Sequence, residues 1–214
     1  MIEIYLFMHP LCKRCLAAEK RMLDLFAQEN QDIKLHMVPL LNLRSFQQFL
    51  ELKIMDTKDM KARNELFDVS YSIALDYKSL QLQGKKKARK FLILLQEAVT
   101  QNIGNYSQTL VQDSVLAVKG DLDMFYADRY SNTVREAFLD DQIVAKEMGV
   151  TAKPAVVVFN YECDRDFGVL IEEHPSNDVL KELLRTDSTS CALHFDTNHD
   201  QHHFINKEEF HLYK

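Results

Sequence analysis

Two cysteines three residues apart, where an apolar run gives way to a helical one, limit the folds open to this chain. In the opening stretch MIEIYLFMHPLCKRCLAAEKRMLD, Ile2, Ile4, Leu6 and Met8 alternate with Glu3, Tyr5 and Phe7, which reads as a short buried strand. Pro10, within His9-Pro10-Leu11, stops the run because proline has no N–H for a central ladder. From Cys12 a helix is expected, with Leu16, Ala17, Met22, Leu23 and Phe26 on one face. A strand, a turn and Cys12-Lys13-Arg14-Cys15 at a helix start are the layout of a dithiol redox site.

The chemistry explains that layout. A thiolate, not a thiol, attacks a disulfide. At a helix N-terminus the backbone N–H groups and the macrodipole favour negative charge. Cys12, expected to lie exposed there with its pKa lowered, is the candidate nucleophile. Lys13 and Arg14 add positive charge, screened by salt. Cys15 faces the same side of the first turn and is the candidate resolving thiol. Two other readings stay open at this point, a zinc knuckle and a pair of unrelated core cysteines. Zinc usually takes four ligands, and Cys163 and Cys191 do not form a second close pair.

With 214 residues, the chain can form one domain with a sizeable core, or a domain carrying an insert. Its 46% hydrophobic and 27% charged residues are ordinary for a globular protein. A net charge of −6 argues against nucleic acid as a general partner. No apolar run approaches the length of a membrane span. The first strand begins without a basic leader or a small-residue cleavage site, so the expected location is the cytoplasm. Thiols are kept reduced there, which favours reduction or sensing over disulfide donation.

Ile33–Val38 alternates and ends at Pro39, a second strand that closes a βαβ unit. His36 within it reads as a surface or satisfied histidine. Asn42–Gly149 shows only helical patterns. Helices are expected over 43–52, 70–82, 85–101, 105–119, 122–130 and 131–148, with a polar stretch at 56–63 and helix ends near Gly84 and Gly120. The basic run Lys85-Lys86-Lys87 with Arg89 and Lys90 reads as a solvated helix face, with an acidic partner surface as the sharper alternative. Lys153-Pro154 then leads into Ala155-Val156-Val157-Val158-Phe159, a buried strand with proline at its start. A turn at 164–166 and a last strand, Gly168–Ile171, complete a hairpin. A helix capped by Ser176 follows.

These segments together resemble the DsbA family of thioredoxin-like proteins. They are more closely similar to its cytosolic Gram-positive branch, which includes the Spx adaptor of the ClpXP protease. The likeness rests on Ile2-Glu3-Ile4-Tyr5 with Pro10-Leu11-Cys12-x-x-Cys15, on Ser70-Tyr71-Ser72-Ile73-Ala74 with Leu80-Gln81-Leu82-Gln83-Gly84, and on Lys153-Pro154-Ala155-Val156-Val157. The resemblance implies an α/β thioredoxin fold, a central mixed sheet with an all-helical insertion. The expected organisation is a thioredoxin-like domain from 1–41 and 149–186, a helical insertion at 42–148 and a polar tail at 187–214. It also implies a cis Pro154 facing the dithiol and positioning a substrate backbone. His9, Lys13, Arg14 and Lys153 are the further candidate substrate-binding residues. Position 9 is His where relatives often carry an acidic residue, which leaves a thiolate less opposed.

Two functions are implied. One is a thiol–disulfide oxidoreductase acting on protein or small-thiol disulfides, which needs no bound cofactor, only an external reductant. The other is a redox-sensitive adaptor that delivers a regulator protein to ClpXP. A kappa-type glutathione transferase shares the insert but usually lacks the second cysteine, present here as Cys15.

The tail, 186–214, is polar and holds Cys191, His194, His199, His202, His203 and His211. Its segment Asp196-Thr197-Asn198-His199-Asp200 is similar to the start of a calcium loop, but Gln201 stands where glycine is needed and Lys207 where glutamate is needed. The spacing matches no standard zinc site. The expectation is a partly ordered polar tail, with a calcium site and a His/Cys zinc site as the alternatives.

Overall fold

The structure is a computed structural model. It describes residues 1–29, 32–52, 59–163, 167–173 and 176–185, and the backbone of 202–206. The turn expected at 164–166 and the calcium-like segment at 196–201 lie outside the described residues, as do Cys191, His194 and His211. The chain divides into two compact units, one formed by Met1–Met8, Ala17–Val38 and Ala145–Lys214, the other by His9–Leu16 and Pro39–Val144.

The first unit is built on a mixed five-stranded sheet in the order β2-β1-β3-β4-β5. Its strands are β1 (Ile2–Met8), β2 (Ile33–Pro39), β3 (Ala155–Asn160), β4 (Phe167–Glu172) and β5 (His202–Asn206). Every residue of β1 and β3 is buried, including the polar Glu3 and Asn160, so both strands are covered on their two faces rather than being half-buried ribbons. They pair antiparallel from Ile2 opposite Asn160 to Phe7 opposite Ala155. β4 pairs antiparallel with β3, and β5 with β4. β5 corrects the sequence reading, which ended the sheet at β4 and left the tail without a strand. Its sequence, HHFIN, has little of the apolar alternation by which a strand is recognised.

Gly168 is required by packing. A Cβ built there would lie 2.4 Å from Cε1 of Phe159 on the neighbouring strand. Gly168→Ala is therefore expected to cost about 1–3 kcal/mol, the usual penalty for overfilling a packed core, read as a lower midpoint in urea.

Helix α1 (Lys13–Gln28) follows β1, and α8 (Asn177–Leu184) follows β4. The buried face of α1 is Cys15, Ala18, Glu19, Met22 and Leu25. The expected face was turned by about one residue, and Ala17 is exposed. α8 is capped as expected, with Ser176 Oγ accepting the Val179 N–H at 3.2 Å. Its far end is tied down by Asn160, whose Nδ2 donates to the carbonyls of Leu183 at 3.1 Å and Arg185 at 3.0 Å.

His36 is satisfied, as anticipated. Its Nε2 lies 2.9 Å from Oε1 of Glu3 and its ring stacks on Tyr5 with centroids 4.6 Å apart. That hydrogen bond, working against burial, holds the Glu3 carboxyl below its usual range. A carboxylate whose pKa falls on folding adds stability above its unfolded value and loses it as the pH drops through the folded one. Glu3→Gln should thus cost most near neutral pH. Its cost should shrink below the unfolded value of 4.5, as measured by denaturant titration on both sides of it.

The second unit is helical. It contains α2 (Leu43–Leu52), α3 (Met60–Gln81), α4 (Lys85–Val99), α5 (Gln108–Ala117), α6 (Leu122–Arg129) and most of α7 (Asn132–Glu147). α3 starts well before the expected residue 70. Asp59 caps it by accepting the Ala62 N–H at 3.0 Å, so part of the stretch read as polar connection is its first turn. Gly84 separates α3 from α4 at φ 127°, a conformation open to glycine. The helix expected from 105 is in fact a 3-10 turn, Ile103–Asn105, followed by α5 with Ser107 as cap.

α5 ends in a Schellman turn. The Gly120 N–H donates to Val115 O at 2.8 Å and the Lys119 N–H to Leu116 O at 2.9 Å. The left-handed residue there is Lys119, at φ 58°, not Gly120. Gly120 is needed for closeness, because a Cβ would meet Val115 Cγ1 at 2.8 Å. In the basic run, Lys85, Lys86 and Lys90 are exposed and Lys87 donates to Lys119 O at 2.8 Å. Inside this unit Asp76 accepts from Arg129 Nε and, at 2.6 Å, from the Tyr106 hydroxyl. Lys78 pairs with Asp141 at 2.6 Å.

Candidate active site

The loop that ends β1 and the first turn of α1 place His9, Cys12 and Cys15 together in the second unit. Cys12 is the N-cap of α1, since its carbonyl accepts the Leu16 N–H at 3.1 Å. Its Sγ takes the place of a capping oxygen and accepts the Cys15 N–H at 3.4 Å. The sulfur therefore sits among N–H groups that the first helical turn leaves without carbonyl partners, where negative charge is favoured. Both cysteines are thiols, with no disulfide between them.

Exposure separates their roles. Cys15 is wholly buried, its Sγ receiving the His9 backbone N–H at 3.5 Å. Cys12 is 6% exposed. It is not the openly exposed sulfur the sequence suggested, because α2 folds beside it. Access to it runs through a pocket of about 170 Å³ lined by Leu11, Cys12, Lys13, Arg14, Phe49 and Leu52. Lys13 and Arg14 point to solvent at its rim.

His9 is fully buried. Its ring stacks on Phe49, with centroids 4.1 Å apart, and on Phe46 at 6.2 Å. Nδ1 accepts the Leu11 N–H at 3.2 Å, so that nitrogen carries no proton. His9 thereby fixes the bend between strand and dithiol. Phe46 and Phe49 lie on α2, within the helix expected over 43–52, but nothing local in the sequence shows that they stack on position 9.

Lys153 and Pro154 belong to the first unit, at the start of β3, and both are buried. The Lys153–Pro154 bond is cis, as the sequence led us to expect. The residues before it are held by Glu172 of β4. Its carboxylate accepts the backbone N–H groups of Thr151 and, at 2.6 Å, of Ala152, and the Thr151 hydroxyl at 2.9 Å. In the sequence Glu172 is a lone acidic residue ending a strand, which carries no signal of this role. Cys163 is half-buried, with its thiol 3.6 Å from Asn160 O.

The sequence profile of the thioredoxin family matches residues 5–182. The chain belongs to the thioredoxin family. Within it, the chain is 26% identical over 210 residues to the ClpXP adapter protein SpxH of Bacillus cereus, covering 90% of this chain and 70% of that one. Among solved structures it is similar to a candidate protein disulfide isomerase from Nitrosomonas europaea, with TM-score 0.62 and 13% identity over 86% of this chain and 96% of that one. It is likewise similar to the thiol-disulfide exchange protein alpha-DsbA2 of Wolbachia pipientis, with TM-score 0.55 and 15% identity over 86% and 80% of the two chains. These structures carry the thioredoxin-like fold with DsbA neighbours that the opening motif and the helical insert implied. No helix among the described residues is long and apolar enough to cross a membrane.

Proposed function

We propose that this protein is a cytoplasmic thiol–disulfide oxidoreductase. The observation that carries the reading is the placement of Cys12 Sγ at the cap of α1, accepting the Cys15 N–H at 3.4 Å beside a pocket. The Cys12 thiolate attacks one sulfur of a substrate disulfide. A Cys12–substrate bond forms, the substrate S–S bond breaks, and the displaced thiolate takes up a proton. The Cys15 thiolate then attacks Cys12 Sγ and expels the second substrate thiolate, which is also protonated. The substrate gains two electrons and the protein is left with a Cys12–Cys15 disulfide, returned to the dithiol by an external thiol reductant. Cys15 needs no access to the substrate for this, which suits its complete burial. Pro154 and Lys153 are assigned to the substrate backbone, and Lys13 and Arg14 to substrate charge. His9 would serve by holding the loop.

A second reading is favoured by the likeness to SpxH adapter proteins. In it the same scaffold grips a regulator protein for ClpXP, and the dithiol senses redox state or is dispensable. One experiment separates the two. In Cys15→Ser, mixed disulfides cannot resolve, so many client proteins should be trapped on Cys12 in a cell extract. Capture of a single regulator that persists when both cysteines are serine would instead support the adaptor.

A further inference from the structure

On the oxidoreductase reading, we infer that Glu172 is a positioning residue for the dithiol reaction, a role that stands only with that reading. Its carboxylate presets segment 151–153, so that a polypeptide disulfide meets backbone already in place.

The segment needs an anchor. It carries neither helix nor strand, and it lies between two fixed ends. Upstream, the Val150 N–H donates to Ala145 O of α7 at 3.0 Å. Downstream, β3 begins at Ala155, and its backbone is taken on both sides, by β1 and by β4. A substrate backbone assigned to Lys153 and Pro154 therefore pairs with the residues leading into the strand, not with the strand itself.

Glu172 supplies an anchor from β4, where it stands opposite Ala155. The Thr151 N–H and, at 2.6 Å, the Ala152 N–H donate to the same oxygen, Oε1. The Thr151 hydroxyl donates to Oε2 at 2.9 Å. One carboxylate thus takes two consecutive N–H groups and a side chain, in bonds strengthened by its charge. Each N–H shares a rigid plane with the carbonyl before it, so the Val150 and Thr151 carbonyls are oriented as well. A segment fixed in advance binds without the cost of ordering it, and the difference appears as affinity. A small disulfide has no backbone to pair and gains nothing from this.

The test uses the reduced, intact protein and two mixed disulfides of 2-nitro-5-thiobenzoate. One carries a short peptide of alanine and serine with a single central cysteine, the other 2-mercaptoethanol. In the measured step the Cys12 thiolate bonds to the peptide or mercaptoethanol sulfur, the bond to the aryl sulfur breaks, and the electron pair leaves on the coloured aryl thiolate. Glu172→Ala should slow the peptide by about tenfold or more and leave mercaptoethanol within about twofold of the unmodified protein. The loss should lie in the peptide concentration that gives half the maximal rate, not in the maximal rate. Glu172→Gln should fall nearer the unmodified protein, because its carbonyl oxygen can still take both N–H groups. Hydrogen exchange at the Ala152 amide should be faster in the alanine variant than in the glutamine one. Glu172→Asp, whose carboxylate is withdrawn by one methylene, carries the same comparison where the alanine variant does not fold. An equal loss on both compounds would mark a general structural role and overturn the inference. So would a peptide rate in Glu172→Ala within about twofold of the unmodified protein, or a glutamine variant slower than the alanine one. Each of these leaves the oxidoreductase reading standing. If the unmodified protein releases aryl thiolate from neither compound, both readings fall.

Discussion

Cys12→Ser should lower the turnover of a disulfide substrate by at least about a thousandfold, the scale seen when an attacking group is removed. A serine hydroxyl at this cap would still accept the Cys15 N–H, so the fold and its melting temperature should hardly change. That contrast makes the loss a statement about chemistry rather than stability. Cys15→Ser should behave differently. The first attack proceeds, the mixed disulfide accumulates, and a single turnover is seen instead of a steady rate. A coupled reductase assay, run beside a thermal melt of each variant, checks both. Retention of half or more of the activity in Cys12→Ser would show that another group does the work.

The largest effect on stability is expected from the helical unit. Asp76 is 2% exposed and accepts hydrogen bonds from Arg129 and Tyr106. Burial pushes its carboxyl up, while Arg129 and Tyr106 oppose that rise. Asp76→Ala would leave the guanidinium of Arg129, whose side chain is 14% exposed, without its carboxylate. Breaking a buried pair from one side costs about 3–5 kcal/mol. In a chain of this size that corresponds to roughly 6–20 °C in Tm. Replacing both partners with apolar residues, Asp76→Leu with Arg129→Met, should recover most of the loss. An additive result in that double variant would mean that the two groups do not act as a pair.

The opening strand, the bend at Pro10 and the helix bearing both cysteines were legible because each is written in local periodicity and turn chemistry. So was the strand after Pro154, a β-branched run that can only be buried. The start of α3 was hidden because its first turn is polar and depends on one capping side chain, Asp59. The sequence points to Gly120 as the end of α5, whereas the helix stops at Ala117 and Lys119 holds the left-handed position, which a lysine seldom takes. At the site, the order of the cysteines and the charge beside them could be read directly. The near-burial of Cys12 and the stacking of His9 could not. Both come from Phe49 and its neighbours on α2, brought there by packing between segments distant in sequence. The capture of Thr151 and Ala152 by Glu172 is equally long-range.

Two influences on the Cys12 sulfur oppose each other. Burial disfavours a thiolate, whereas the helix terminus, the Cys15 N–H and the adjacent Lys13 and Arg14 favour it. The sulfur borders a pocket rather than closed core, so the favourable side should prevail. The rate of Cys12 alkylation by iodoacetamide as a function of pH, followed by mass spectrometry of the intact dithiol protein, decides the matter. A rate already level at neutral pH is the predicted result. A rate still climbing through about 8.5, as for an ordinary cysteine, would contradict an activated thiol at the start of α1.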